Sequence, residues 1–121
     1  MIFAAMQYLM KDGMSYQAYF RKIQELYAKE GCPEEWKMHH QGGPTGYGCR
    51  EFVVTPVIGG RIRNNQAYAW NPTIVGTKCE ETTFLTDNGI EIFTRTKEWP
   101  CSVIGTGYGS CPVADILCRG V

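Results

Sequence analysis

The sequence predicts an α+β fold, two helices followed by a mostly antiparallel sheet, and three observations carry that expectation. Tyr16, Tyr19, Phe20, Ile23, Leu26 and Tyr27 recur at helical spacing. Beyond Trp36 the helical period gives way to short strand-like runs. Asp87-Asn88-Gly89 between two such runs is a hairpin signal.

Residues 2–11 are apolar and end before Gly13, which suits a buried first helix. A signal peptide is a poor fit, because no basic residue precedes the apolar run and Lys11-Asp12-Gly13 stands where a small-residue cleavage site belongs. Ser15 can cap a second helix whose other side carries Gln17, Arg21, Gln24 and Lys29, and Gly31 and Pro33 end it. Trp36-Lys-Met-His-His40 alternates, and residues 41–48 form a glycine-rich loop. A strand over 51–56 should end at its proline, and further strands are expected over 66–70, 82–86 and 90–94. After Trp99-Pro100 the composition shifts to Gly, Cys and small residues. The division expected is a main region, 1–98, and a tail of the same domain, 99–121. Thr-Gly-Tyr-Gly occurs at 45–48 and 106–109, too short a match to make a repeat.

At 121 residues, 44% hydrophobic and 20% charged, the composition suits one globular domain and neither a disordered nor a membrane-spanning chain. Twelve Lys and Arg balance twelve Asp and Glu. That removes the usual reason to expect nucleic acid or anionic lipid as a partner, since such binding depends on clustered excess Lys and Arg. A cytoplasmic protein is expected. The six cysteines include no Cys-x-x-Cys pair, so reduced and mostly buried thiols are expected rather than disulfides or a structural zinc site.

Three clusters could carry chemistry. His39-His40-Gln41-Gly42-Gly43 sets imidazoles beside glycines, which leave room for a ligand or metal, although taken alone a His-His pair is more often solvent-facing or capped. Glu80-Glu81 opens a strand in which Glu80 shares a face with Phe84 and Glu81 shares the other with Leu85. One carboxylate then points inward and needs a metal, Arg or Lys, with a solvent-facing pair at a strand end as the alternative. Trp70-Asn71-Pro72 alone is a strand end with a turn.

In order and spacing, these clusters resemble the M24 peptidases, the pita-bread-fold enzymes that include Xaa-Pro aminopeptidases, prolidases, methionine aminopeptidases and creatinase. The run from Trp36 through His39-His-Gln-Gly-Gly-Pro-Thr-Gly-Tyr-Gly48 to Arg50-Glu51 is similar to their Gly-His-x-x-Gly … His-Glu region. Asn65–Gly76 resembles the segment around Glu-Pro-Gly, and Lys78–Gly89 the closing Glu-Asp-Thr hairpin. The likeness covers essentially the whole chain, as the C-terminal half of a pita-bread fold.

The resemblance implies hydrolysis of N-terminal Xaa-Pro peptide bonds, with a peptide as substrate and a divalent metal (Mn, Co or Zn) as cofactor. It places His40 and Glu80 as metal ligands, His39 and His40 as catalytic histidines, and Gly42, Gly43, Tyr47, Arg50 and Asn71 at the substrate. Departures from the family pattern point to a degraded metal site. The first family glutamate falls on the amide Asn71, the second histidine near Arg50, and the two aspartate ligands match nothing here. The start at Met1 suggests a truncated or split gene product, whose partner would be a missing N-terminal half or a second copy. Two alternatives stay open: a non-catalytic remnant of the fold that binds a peptide or partner, and a metal-independent, creatinase-like amide hydrolase.

Overall fold

The computed structural model describes residues 1–120. It has two helices, α1 (Ile2–Leu9) and α2 (Tyr16–Lys29), and a short 3-10 turn at Glu35–Lys37. Eight strands follow: β1 (Gly42–Thr45), β2 (Gln66–Trp70), β3 (Thr73–Ile74), β4 (Thr77–Lys78), β5 (Glu81–Thr86), β6 (Gly89–Ile92), β7 (Cys101–Thr106) and β8 (Gly109–Ala114). The order β1-β2-β5-β6 makes a four-stranded sheet, antiparallel throughout. β3-β4 and β7-β8 are separate antiparallel pairs. The fold is α+β, with the helices first.

α2 forms where its period predicts. Ser15 Oγ accepts from the Ala18 N–H at 3.1 Å, which satisfies one of the open donors of the first turn. Its six aromatic and aliphatic residues named above are all buried. α1 is shorter than expected, because Met10 is already extended (φ −65°, ψ 128°). There its sulfur accepts the Trp70 indole N–H at 3.0 Å. Both helices cover one face of the sheet, where Tyr19 lies 5.0 Å from Trp70 and Trp70 stacks on Tyr68 at 5.6 Å. Gln7 of α1 accepts a hydrogen bond from Thr83 of β5 at 2.6 Å.

The buried tyrosines keep their hydroxyls satisfied, as a dry core requires. Tyr19 donates to Met6 O at 2.9 Å and Tyr68 to Arg63 O at 3.1 Å. The Tyr27 hydroxyl lies between Gln41 Oε1 (2.8 Å) and Thr73 O (2.9 Å) and accepts from Thr73 N.

Three local expectations need correction. Residues 42–45 form a strand rather than part of a glycine loop, pairing Gly42 with Trp70 and Thr45 with Ala67. Residues 51–56 form no strand, although Glu51 N bonds Pro44 O (3.0 Å) and Val54 N bonds Gly42 O (2.8 Å). Pro44 has no N–H to return a bond, so the ladder stops there. The region after Trp99 is a regular hairpin, β7-β8, packed on α1, with Tyr8 hydroxyl bonded to Ser110 O.

All six thiols are free, but only Cys111 is buried; Cys49, Cys101 and Cys118 are exposed and Cys32 and Cys79 half-buried. The expectation of mostly buried cysteines is thus overturned. The exposed three lie in a loop, at the start of the outlying β7 and in the tail, away from the helix–sheet core. Among the described residues, no helix is long and apolar enough to cross a membrane.

Candidate functional site

Among the described residues, no helix lies on the second face of the four-stranded sheet, and the chain at Phe52 crosses it only at Gly43. Its register brings Gly43, Ala69 and Thr82 into one row and Thr45, Ala67, Phe84 and Glu91 into the next. Phe84 stacks with Phe93 at 5.4 Å. One step beyond the Trp70–Glu81 pair, Asn71 follows β2 and Glu80 precedes β5, so the two occupy the same end of this face.

Arg50 reaches that end from the loop after β1. One of its terminal nitrogens donates to Ala69 O at 3.2 Å and lies 3.6 Å from Glu80 Oε1. Lys78 holds the other carboxylate oxygen of Glu80 at 2.9 Å. The hydrogen bond from Lys78, then the charges of Lys78 and Arg50, keep the Glu80 carboxyl below its ordinary range. Glu80 is therefore a fixed anion with two cations on it.

Asn71 is 2% exposed; its N–H bonds Gln41 O at 3.0 Å while its side-chain Oδ1 has no partner. That bond ties the histidine segment to the strand end. His39 and His40 are both exposed, with ring centroids 4.3 Å apart and His39 Nδ1 2.7 Å from His40 O. Gln41 fixes the segment, donating to Trp36 O and His39 O at 3.1 and 2.7 Å. Partial desolvation, then the charges of His39 and Arg50, push the His40 imidazole below its ordinary value, with Glu80 opposing.

Gly42 and Gly43 are buried inside β1. A Cβ on Gly42 would sit 2.0 Å from Ala69 O, and one on Gly43 2.2 Å from Phe52 O. Their lack of side chains is thus required by backbone packing on both sides. Tyr47 stands fully exposed beyond the strand. Of the residues expected at the site, Arg50 and Glu80 are in contact, Asn71 is beside them and His40 is near enough to feel both charges. Tyr47 stands apart.

The predicted alternation of the two glutamates holds. Glu81 is the inward one, 4% exposed, with Arg95 at 3.9 Å. Burial raises its carboxyl above the ordinary range, and Arg95 and the Ala114 N–H offset part of that. Lys78 and Arg95 were not among the expected site residues. The need of an inward carboxylate for a cation was legible, but not which cation meets it.

His40 and Glu80 are the donors that the M24 resemblance places on a metal, and their surroundings do not fit one. Glu80 is already neutralised twice over, and the position beside it carries an amide. Among the described residues, no three of His, Cys, Asp and Glu converge on a point where an ion could sit. Catalytic metal sites keep three or more protein ligands. No protein-family model, curated protein or solved structure matches the chain.

Proposed function

We propose that the chain is a relative of the M24 Xaa-Pro peptidases, with the architecture of the C-terminal pita-bread half, in which an ion cluster stands in place of the metal centre. On this reading it binds a peptide or partner on the open face of its sheet and does not hydrolyse it. The observation that carries this is the pairing of Glu80 with both Arg50 and Lys78. A divalent ion would have to displace two cations and then hold to one carboxylate and one imidazole, a set too small to compete with water. The convergence of Asn71, Arg50 and Glu80 at one end of the open face supports the resemblance in order and position.

The test is elemental analysis of protein purified with Mn, Co or Zn present, together with an assay on an Xaa-Pro dipeptide. The expected result is no stoichiometric metal and no turnover. Bound metal together with turnover abolished in His40→Ala would replace this reading with an active metallopeptidase.

A further inference from the structure

A cleft of about 510 Å³ opens between the β4–β5 segment and the end of the β7-β8 hairpin. Its volume falls within the range of about 300–1,000 Å³ usual for small-molecule sites. Glu80 and Lys78 reach it from the open-face site, and Glu81, Arg95, Trp99 and Asp115 also line it.

Two groups in this cleft are half-used. Glu81 is buried, and its Oε2 accepts no hydrogen bond. Arg95 stands 3.9 Å away, well beyond the roughly 2.8 Å of a charge-assisted bond, and its Nε also lacks a partner. The terminal nitrogen of Arg95 nearest Glu81 is itself held by Pro112 O of the hairpin, which leaves Nε as the unused donor. Burial of an unpaired acceptor and an unpaired donor is costly and marks a place where a ligand has something to gain.

The chemistry of the lining selects among ligands. Its acidic groups and thiols do not converge as a metal would require. Charges of both signs are spread along the cleft instead, with Glu80, Glu81 and Asp115 facing Lys78 and Arg95. A small molecule carrying both signs a few atoms apart matches that pattern. Trp99, 48% exposed, is fixed by its indole N–H to Asp115 O at 2.9 Å and offers an apolar wall.

We propose that this cleft binds a free α-amino acid, whose ammonium group bonds Glu81, whose carboxylate bonds Arg95, and whose side chain lies against Trp99. The inference goes beyond the proposed open-face function and does not depend on it. The probe is leucine, titrated into the whole chain while the Arg95 Nε–H and Trp99 Nε1–H signals are followed by nitrogen-15 NMR. Leucine should move both signals saturably. N-acetyl-leucine and leucinamide, each lacking one charge, should bind about tenfold more weakly or worse. Glu81→Gln should cost a similar factor. Trp99→Ala, at an exposed position, keeps the test valid should Glu81→Gln fail to fold, and should weaken leucine several-fold. Equal binding of leucine and either blocked analogue would overturn the proposal, as would unmoved signals in folded protein. Neither readout involves metal or Xaa-Pro hydrolysis, so this proposal and the open-face reading fail separately.

Discussion

Arg50 lies 3.6 Å from Glu80 while donating to Ala69 O at 3.2 Å, so one guanidinium joins the loop after β1, strand β2 and the start of β5. Lys78 reaches the same carboxylate from two residues away at 2.9 Å, but both partners of that pair are largely solvated. The shorter contact should matter less. Exposed ion pairs contribute about 0–1 kcal/mol, whereas a partly buried side chain bonding a sheet carbonyl contributes about 1–2 kcal/mol. Urea denaturation should show Arg50→Ala destabilised by about 1–2 kcal/mol and Lys78→Ala by less than about 1. The reverse ranking would mean that Arg50 does not tie these elements together.

Gly42 and Gly43 carry a sharper prediction. Gly42 has φ 105°, a conformation that side chains disfavour, and any Cβ there meets Ala69 O. Gly43→Ala would drive a methyl group into Phe52 O. Each alanine should cost about 3 kcal/mol or more, since backbone on both sides must move. Gly59 has nothing within 4 Å of its would-be Cβ and no positive φ. Gly59→Ala should therefore be neutral or slightly stabilising. Thermal melts of the three variants decide this, and comparable losses at all three would sink the packing argument.

The period-two alternation separated Glu80 from Glu81, and burial follows it because side-chain direction in a strand is a local property. The stripe on α2 was legible for the same reason. Strand β1 was not, since Gly42, Gly43 and Pro44 have low strand propensity and only pairing with β2 makes them a strand. The 51–56 segment erred the other way, because its Val-rich composition favours a strand and the missing N–H of Pro44, several residues earlier, forbids the ladder. The Arg50–Glu80 contact joins separate segments across the sheet, which no local pattern encodes.

The cysteines should divide by exposure. Burial, with Glu81 beside it, pushes the Cys79 thiol up to about 11, and burial raises Cys111 as well. Only the thiolate reacts, so at pH 8 both should be slow. Cys49, Cys101 and Cys118 are exposed and should be alkylated first by iodoacetamide. Mass spectrometry of the native protein should find these three labelled early and Cys79 and Cys111 labelled only after denaturant is added. Early labelling of Cys111 would mean that the β7-β8 hairpin does not stay on α1.

The tyrosine core sets the alkaline limit of the fold. Burial raises Tyr16, Tyr19, Tyr27 and Tyr68 above their ordinary value. An acid whose folded value is raised holds its proton after the unfolded chain has lost it. The stability it contributes is therefore complete below about pH 10 and falls as pH rises through the interval up to the folded value. Each such tyrosine removes about 1.4 kcal/mol per pH unit in that interval. Tyr16 and Tyr19, the most strongly shifted, should carry most of that loss, and Tyr27 and Tyr68 add to it. Circular dichroism and tyrosinate absorbance, followed from pH 8 upward, should therefore change together in one cooperative step above about pH 10. Tyr19→Phe removes one titrating group but also the 2.9 Å bond to Met6 O, so its step should be shallower from a lower starting stability. Ionisation of these four near pH 10 with the dichroism unchanged would mean that water reaches the face between the helices and the sheet.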